Sequence, residues 1–237
     1  MHIADMLFTQ GFGTRRACAG LVRQGRVRVG GLVVADAQAE VQATGLHFTV
    51  DGQHWQYQAH ALVMLHKPAG YECSQKPRHH PSVMSLLPTP LRTRGVQPVG
   101  RLDEDTTGLM LLTDDGTLIH RLTSPKHHVP KVYEVTARHT VSDAQIVQLL
   151  AGVVLDDSPE PVRALAAERV TPLHLRLTLA EGKYHQVKRM LAAAGNRCDA
   201  LHRSAFGRLV LPAALGIGQW CWVDAATITA EPAAAVG

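Results

Sequence analysis

The stretch 98-PVGRLDEDTTGLMLLTDDG-116 decides how the middle of the chain is interpreted, because it places an apolar run between two acidic segments. The run 109-LMLLT-113 predicts a buried β-strand. Asp114–Asp115–Gly116 is typical of a turn. The first acidic segment, Asp103–Asp105, is by itself also typical of a solvated turn. Whether one of these acids has a chemical role therefore depends on the rest of the chain.

The residues on either side of this stretch predict an α+β fold. A strand begins at residue 62 and ends in a Pro–Gly loop, and the Pro- and Arg-rich segment 75–98 predicts a long loop with short helical pieces. Ser142 is a candidate N-cap for a helix through residue 150. Because strands and helices do not alternate strictly, we expect a mixed, mostly antiparallel sheet flanked by helices. The other expected elements are helices at 117–124 and 184–194 and strands at 131–137, 162–170, 173–181, 208–211 and 220–223.

Residues 1–58 are expected to form a small separate domain. Thr14 is a candidate N-cap for a helix to about residue 24, and 26-RVRVGGLVV-34 predicts a hairpin that turns at Gly30–Gly31. Five arginines lie in this region: Arg15, Arg16, Arg23, Arg26 and Arg28. Such a basic helix and hairpin fit a phosphate-binding surface and an ordinary charged surface equally well. A second domain is expected over 61–230, followed by a frayed tail at 231–237.

Composition excludes several other classes of protein. The 237 residues are 46% hydrophobic and carry a formal net charge of +4, which is consistent with a polyanionic partner. The four cysteines form no C-x-x-C pair, and the 14 histidines show no metal-ligand spacing, so we expect reduced thiols and no metal site. No apolar run reaches the length of a membrane span and no export signal is visible, which predicts a cytoplasmic protein. Nucleotide-binding, hydrolase and metalloprotease motifs are missing from the sequence.

Three segments together resemble a known family. They are 100-GRLDEDTTGL-109, Tyr133 within 131-KVYEV-135, and 181-EGKYHQVKRM-190. In this order they resemble the RsuA-type branch of the pseudouridine synthases, which acts on ribosomal RNA. Further similarity runs through 65-LHKPAGYECS-74, 111-LLTDDG-116, 123-TSPKHHVPKVYEV-135 and 201-LHRSAFG-207, so the resemblance covers nearly the whole chain. The first domain resembles the alpha-L type of RNA-binding domain.

The resemblance implies that the chain isomerises uridine to pseudouridine and needs no cofactor. It assigns the essential carboxylate to Asp103, the neighbouring cation to Lys188 and the tyrosine that stacks on the flipped base to Tyr133. Cleavage of a glycosidic bond also calls for a carboxylate on chemical grounds, and a partly desolvated carboxylate stays ionised only beside a fixed cation. Successive helical residues point in different directions, so only one of Lys188 and Arg189 is expected to face Asp103.

The remaining candidate residues are expected to contact RNA. Arg101 matches the family arginine beside the catalytic acid, and the other candidates are Arg189, Arg15, Arg16, Arg26, Lys126 and Lys131. His185 and Gln186 fill the family's His–Gln pair, for which packing and direct contact are both open. The expected partner is 16S rRNA or the assembling small ribosomal subunit, bound by a monomer. His2, which stands where relatives carry an arginine, puts the strength of docking in question.

Two alternatives remain beside a 16S rRNA enzyme. The first is a synthase of the same chemistry that acts on 23S rRNA. Those relatives carry Asn-Arg where this chain has Tyr184–His185, which favours the small-subunit group. The second is a non-catalytic rRNA-binding assembly factor. A pure binding protein has no need of the set Asp103, Tyr133 and Lys188, and this set therefore favours an enzyme.

Overall fold

The computed structural model describes residues 1–229, which form two compact units. The first unit comprises Met1–Ala61, Leu87–Gln97 and Thr113–Asp115. The second comprises Leu62–Leu86, Pro98–Leu112 and the chain from Gly116 onward. The predicted frayed tail at 231–237 lies outside the described residues. Among the described residues, no helix is both long and apolar enough to cross a membrane.

The first unit contains three helices and a small sheet. The helix Arg15–Arg23 begins where it was predicted, because the Thr14 side chain accepts a hydrogen bond from the backbone N–H of Ala17. The predicted hairpin is also present and turns at Gly30–Gly31, both of which have positive φ. The sheet has the order β2-β1-β3-β4. The elements are α1 (Ile3–Thr9), α2 (Arg15–Arg23), β1 (Val27–Val29), β2 (Leu32–Val33), β3 (His47–Val50), β4 (Gln53–Gln56) and α3 (Thr89–Thr93).

Arg94 links the segments Leu87–Gln97 and Thr113–Asp115 to the rest of the first unit. Its side chain is 5% exposed and donates from Nε to Asp114 Oδ2 at 2.7 Å. Its other nitrogens donate to Gln10 Oε1 and to the backbone carbonyls of Gln58 and Ala59. A buried guanidinium is stable only when its donors are satisfied, and these acceptors come from three separate parts of the chain.

The second unit is built on a large mixed sheet. Its strand order is β11-β12-β8-β13-β7-β5-β15, with β14 on β13 and β6 on β7. Strands β13 and β7 run parallel, whereas the pairs β11–β12, β12–β8, β8–β13 and β5–β15 run antiparallel. The strands are β5 (Leu62–Lys67), β6 (Gln97–Pro98), β7 (Thr107–Thr113), β8 (Lys131–Ala137), β9 (Val153–Leu155), β10 (Ser158–Val162), β11 (Ala166–Thr171), β12 (His174–Leu179), β13 (Cys198–Phe206), β14 (Leu209–Val210) and β15 (Trp220–Trp222).

Helices complete the second unit. They are α4 (Gly116–Thr123), α5 (Asp143–Ala151), α6 (Gln186–Ala193) and α7 (Ala226–Thr229), together with single 3₁₀ turns at Val83–Leu86 and Pro125–His127. Ser142 caps α5 in a reciprocal arrangement with Gln145. The predicted α+β class with a mixed, mostly antiparallel sheet is confirmed.

The core of this unit lies where β5 and β7 meet α4 and the end of β13. Burial of each leucine side chain stabilises the folded state by about 1.5–3 kcal/mol. The cluster consists of Leu62, Met64, Val99, Leu109, Leu111, Leu118, Leu122, Val129, Phe206 and Ile228.

Two details of the sheet differ from the predictions. The predicted strand over 162–170 is wrong, because β10 ends at Val162 and pairs with β9, whereas β11 starts at Ala166 and joins the large sheet. The central strand β13 was not predicted at all. It runs so close to β7 that a side chain at Gly108 would place a Cβ 2.3 Å from the Arg203 carbonyl oxygen.

Candidate active site

Asp103 lies in a cleft of the second unit formed by two adjoining cavities of about 400 and 60 Å³. Both cavities are lined by Asp103 and by the segment at Gly182–Lys183 that precedes α6. Asp103 belongs to a tight turn before β7, since its carbonyl accepts from the Thr106 backbone N–H at 3.2 Å. The turn and the start of α6 therefore bring the Asp103 motif and the Lys188 motif to one place.

Lys188 lies between two carboxylates of this turn. Its Nζ is 3.0 Å from Asp103 Oδ2 and donates to both Asp105 oxygens, at 2.7 and 2.9 Å. The side chains of Asp103 and Lys188 are about one-quarter exposed, at 24% and 26%. A contact at this distance in a partly desolvated cleft is stronger than a surface ion pair. Of the two adjacent cations on α6, Lys188 is the one that contacts Asp103.

The Lys188–Asp105 contact changes the protonation of both groups. Burial opposes the charged form of Lys188, but hydrogen bonds from Lys188 to Asp105 and Asp103 outweigh it and raise the pKa of the lysine. Burial likewise opposes ionisation of Asp105, yet the Lys188 ammonium holds the pKa of that carboxyl below its usual value. The lysine therefore stays protonated near neutral pH and supplies fixed positive charge to the turn.

His185 contacts the other oxygen of Asp103. Its Nε2 is 3.2 Å from Asp103 Oδ1, and its ring stacks on Tyr184 at a centroid distance of 3.8 Å. The residue precedes α6 with φ of 48°, in the left-handed region that non-glycine residues adopt rarely. This backbone geometry aims the imidazole at Asp103, so both carboxylate oxygens have a nitrogen partner.

A buried lysine holds the backbone of the turn that contains Asp103. Lys67, at the end of β5, is fully buried and donates to the carbonyls of Pro68, Glu104 and Thr106 at 3.0, 3.0 and 2.8 Å. Burial lowers its pKa, while nearby acidic groups including Glu104 oppose that shift. Two of its three acceptors belong to the turn that contains Asp103, so Lys67 fixes the backbone on which the carboxylate is mounted.

Tyr133 lines the smaller cavity together with Asp103. It is 7% exposed and lies on β8, where residues 131, 133, 135 and 137 are all buried. Alternation along the strand thus directs Tyr133 towards the interior beneath the cleft. Asp103, Tyr133 and Lys188, which lie far apart in the sequence, are all brought to this region.

The residues predicted to contact RNA fall into two groups. Arg101 is exposed at the cleft, and Arg15, Arg16 and Lys126 are exposed elsewhere. In contrast, Arg26 forms a bidentate pair with Asp51, with both contacts at 2.6 Å, and Arg189 pairs with Asp157. The residues of the first group are exposed and accessible to a phosphate, although Arg15 also lies 3.7 Å from Asp5. Arg26 and Arg189 are held by closer contacts to their carboxylates.

Lys131 was predicted to contact RNA, but its side chain is buried. It is 8% exposed, its Nζ lies 3.4 Å from the Ala180 carbonyl oxygen, and it sits 5.2 Å from the centroid of the Phe206 ring. Burial lowers the pKa of Lys131 to about 8, and the charge of Arg203 adds to this. A lysine in this position cannot reach an RNA backbone, because its alternation along β8 turns it inward.

The roles of Lys67 and Asp105 at the Asp103 turn were not predicted. Asp105 was assigned to a plain turn, and only the position of Lys188 shows its role. His185 was left between packing and contact. The one indication in the sequence that Lys67 has a structural role was its position in 65-LHKPAG-70, a charged residue inside an apolar strand. Among residues 1–229, no group of three or more His, Cys, Asp or Glu side chains is suited to hold a metal ion.

The fold is that of a class of RNA-modifying isomerases. The family model described as RNA pseudouridylate synthase matches residues 61–193, which is more than half of the chain. The chain belongs to the RNA pseudouridylate synthase family, and its activity is that of a pseudouridine synthase.

Similar proteins cover almost the whole chain. "Ribosomal small subunit pseudouridine synthase A" of Salmonella typhimurium (strain LT2) is 39% identical over 235 residues, 98% of this chain and 99% of the relative. The protein of the same name from Escherichia coli (strain K12) is 40% identical over 218 residues, 91% of this chain and 94% of the relative. A solved structure described as "Crystal structure of pseudouridylate synthase" has 32% identity and a TM-score of 0.68, and the match covers 96% of this chain and 98% of that one.

Proposed function

We propose that this protein converts one uridine of 16S rRNA to pseudouridine, with Asp103 as its catalytic residue. The names of the relatives, which specify the small ribosomal subunit, support the choice of substrate. The Tyr184–His185 pair before the α6 cations supports the same choice, because the large-subunit relatives of the family that the chain resembles carry Asn-Arg there. The cleft supports the assignment of Asp103, since it holds that carboxylate between Lys188 and His185.

The reaction breaks the bond between N1 of uracil and C1′ of the ribose and forms a bond between C5 and C1′. The proton lost from C5 is balanced by one gained at N1, so no co-reactant is needed. Asp103 acts at the sugar, either as a nucleophile at C1′ or as a base, and both roles need the ionised carboxylate. Lys188 supplies the compensating charge and His185 fixes the second oxygen, so that the carboxylate keeps one orientation.

The target nucleotide must leave the RNA stack before its C1′ can reach Asp103. Tyr133 lies at the base of the smaller cavity and offers a flat aromatic partner for the flipped uracil. Arg101, exposed at the cleft, is placed to contact the displaced RNA strand. The substrate is 16S rRNA, free or within the assembling small subunit.

The first unit contributes RNA binding in this proposal. Its basic helix α2 begins with Arg15 and Arg16, which are both exposed. Arg15 lies with its guanidinium carbon 4.2 Å from the centroid of the Phe8 ring and also 3.7 Å from Asp5. We assign the unit to the alpha-L type of RNA-binding domain, with these arginines as phosphate contacts together with Lys126 of the second unit.

One observation carries the catalytic proposal: the 3.0 Å contact between Lys188 Nζ and Asp103 Oδ2 inside the cleft that Tyr133 lines. The test is deletion of the gene followed by carbodiimide-based mapping of pseudouridine in 16S and 23S rRNA. Wild type, Asp103→Asn and Glu104→Gln are then restored in parallel. Glu104→Gln is the matched control, because it removes one negative charge from the adjacent residue.

We expect one 16S pseudouridine to disappear on deletion, and to return with wild type and Glu104→Gln but not with Asp103→Asn. Loss of a 23S site instead would keep the chemistry and refute the substrate. An unchanged map would refute the proposed substrate and leave an rRNA-binding assembly role as the explanation of the RNA-binding surfaces. Full rescue by Asp103→Asn would refute the role of the carboxylate.

A further inference from the structure

The segment 74-SQKPRHH-80 is a basic loop to which the proposed chemistry gives no role. It contains Lys76, Arg78, His79 and His80 and no acidic residue. Every residue from Gln75 to His80 is exposed. Exposed cations without an acidic neighbour in sequence are what a polyanion-binding loop requires.

This basic loop is held in one shape by Glu72. The backbone N–H groups of His79, His80 and Arg78 donate to the Glu72 carboxylate at 2.8, 2.9 and 3.0 Å. These three hydrogen bonds lower the pKa of Glu72 to about 2. At the start of the loop, the Lys76 backbone N–H donates to Ser74 Oγ at 3.0 Å. Glu72 thus organises the backbone and leaves the basic side chains outside.

Lys76 and Arg78 are the two cations of the loop that the described part of the fold leaves unneutralised. Within the described part of the chain, neither Lys76 nor Arg78 has a carboxylate within ion-pair distance, unlike Arg26 and Arg189. The negative charge of Glu72 is directed to backbone donors and not to these side chains. Two cations carried by an ordered loop lose less conformational freedom when they bind phosphate than two cations on a disordered segment would.

The loop also stands at the edge of the cleft. Glu72, Cys73 and Ser74, at its base, line the same cavity as Asp103. His80 at its other end lies with Nε2 3.7 Å from Glu104 Oε2, one residue from the catalytic position. RNA that delivers a flipped nucleotide to Asp103 therefore has its neighbouring phosphates beside the loop.

We propose that the basic loop binds the phosphodiester backbone next to the target uridine. Lys76 and Arg78 provide the phosphate contacts, and Glu72 is the positioning residue that orders them. The guanidinium of Arg78 can form bidentate hydrogen bonds with one phosphate, whereas the ammonium of Lys76 acts as a point charge. The assignment rests on the proposed function for the identity of the RNA, but its test does not depend on catalysis.

The test compares binding of an unmodified 16S rRNA transcript at several KCl concentrations. The variants are Lys76→Ala/Arg78→Ala and a control, Arg121→Ala/Arg163→Ala, which removes the same charge from two exposed arginines. Each phosphate contact contributes about 0.7–0.9 to the slope of log Kd against log salt. We expect the loop variant to lose about 1.5 from that slope, and its Kd to rise about tenfold at low salt. Its single-turnover rate at saturating RNA should stay within twofold of wild type.

An unchanged slope in the loop variant would overturn the proposal, as would an equal loss in the control variant. A lower saturated rate with unchanged Kd would also overturn it, because the loop would then act on chemistry and not on RNA binding. Failure of the wild type to modify 16S rRNA would refute the proposed substrate, whereas the difference in slope between the two variants would still report on the loop.

Glu72→Gln tests the positioning role separately. Trypsin does not cut Lys76–Pro77, so the Arg78–His79 bond reports how well the loop is ordered. We expect this bond to be cleaved at least several-fold faster in Glu72→Gln, together with an intermediate rise in Kd. If Glu72→Gln is cleaved at the wild-type rate and binds the RNA with wild-type affinity, the positioning role of Glu72 is refuted.

Discussion

Replacing Lys67 with methionine tests whether the turn that carries Asp103 is anchored from the core. The substitution keeps the size and apolar stem of the side chain but removes three charge-assisted hydrogen bonds, to the carbonyls of Pro68, Glu104 and Thr106. Such bonds stabilise the folded state by about 1.5–3 kcal/mol each. Their loss is partly offset, because the folded variant no longer contains a desolvated cation. We expect a net loss of about 4 kcal/mol of unfolding free energy.

For a chain of this size, that loss corresponds to a fall in Tm of about 12 °C. Urea denaturation and calorimetry measure it, and Lys126→Met is the control, since that lysine is exposed and should change stability by less than about 0.5 kcal/mol. The released turn should also lower single-turnover activity more than tenfold below the melting transition. A Lys67→Met protein within 1 kcal/mol of wild type would refute the anchoring argument.

Three further predictions concern the same unit. Gly108→Ala should cost more than about 3 kcal/mol, since φ is 109° and the new Cβ would meet the Arg203 backbone; a denaturation curve like that of Gly116→Ala would contradict this. The pKa of Lys131 is lowered to about 8, so the unfolded chain binds more protons than the native state between pH 8 and 10. Lys131 should therefore contribute a rise of about 2 kcal/mol in unfolding free energy across that window, and Lys131→Met should remove this contribution. Asp105→Asn should lower the pKa of Lys188 in an NMR titration of lysine side chains, because Lys188 loses one of its two carboxylate partners.

Local signals in the sequence predicted much of the fold. Thr14 and Ser142 start their helices through side-chain caps, which depend on a few neighbouring residues. The Gly30–Gly31 turn is similarly local. Strand β8 was predicted with its bounds because its alternation of buried and exposed positions is regular. These elements are determined by contacts within a few residues, and sequence patterns report such contacts.

Features that depend on distant partners were not predicted. In β13 the sequence 198-CDALHRSAF-206 shows no simple alternation, because Asp199, His202 and Arg203 interrupt the apolar residues. The strand exists because β7 and β8 flank it on both sides. In the site, the roles of Asp103 and Lys188 rested on a resemblance and remain proposals. The sequence marked His185 through a family motif and Lys67 as a charge inside an apolar strand, but their contacts with the Asp103 turn follow from tertiary geometry.

The position of β13 has a consequence for biosynthesis. Asp103 is mounted just before β7, whereas Tyr133 lies on β8, and β13 separates these two strands in the sheet. A nascent chain that has not yet released residues 198–206 from the ribosome therefore contains the acid, the tyrosine and the lysine but lacks the strand that joins their supports. The two halves of the cleft come together only after residues 198–206 have been made, so the order of synthesis itself delays the assembly of the site.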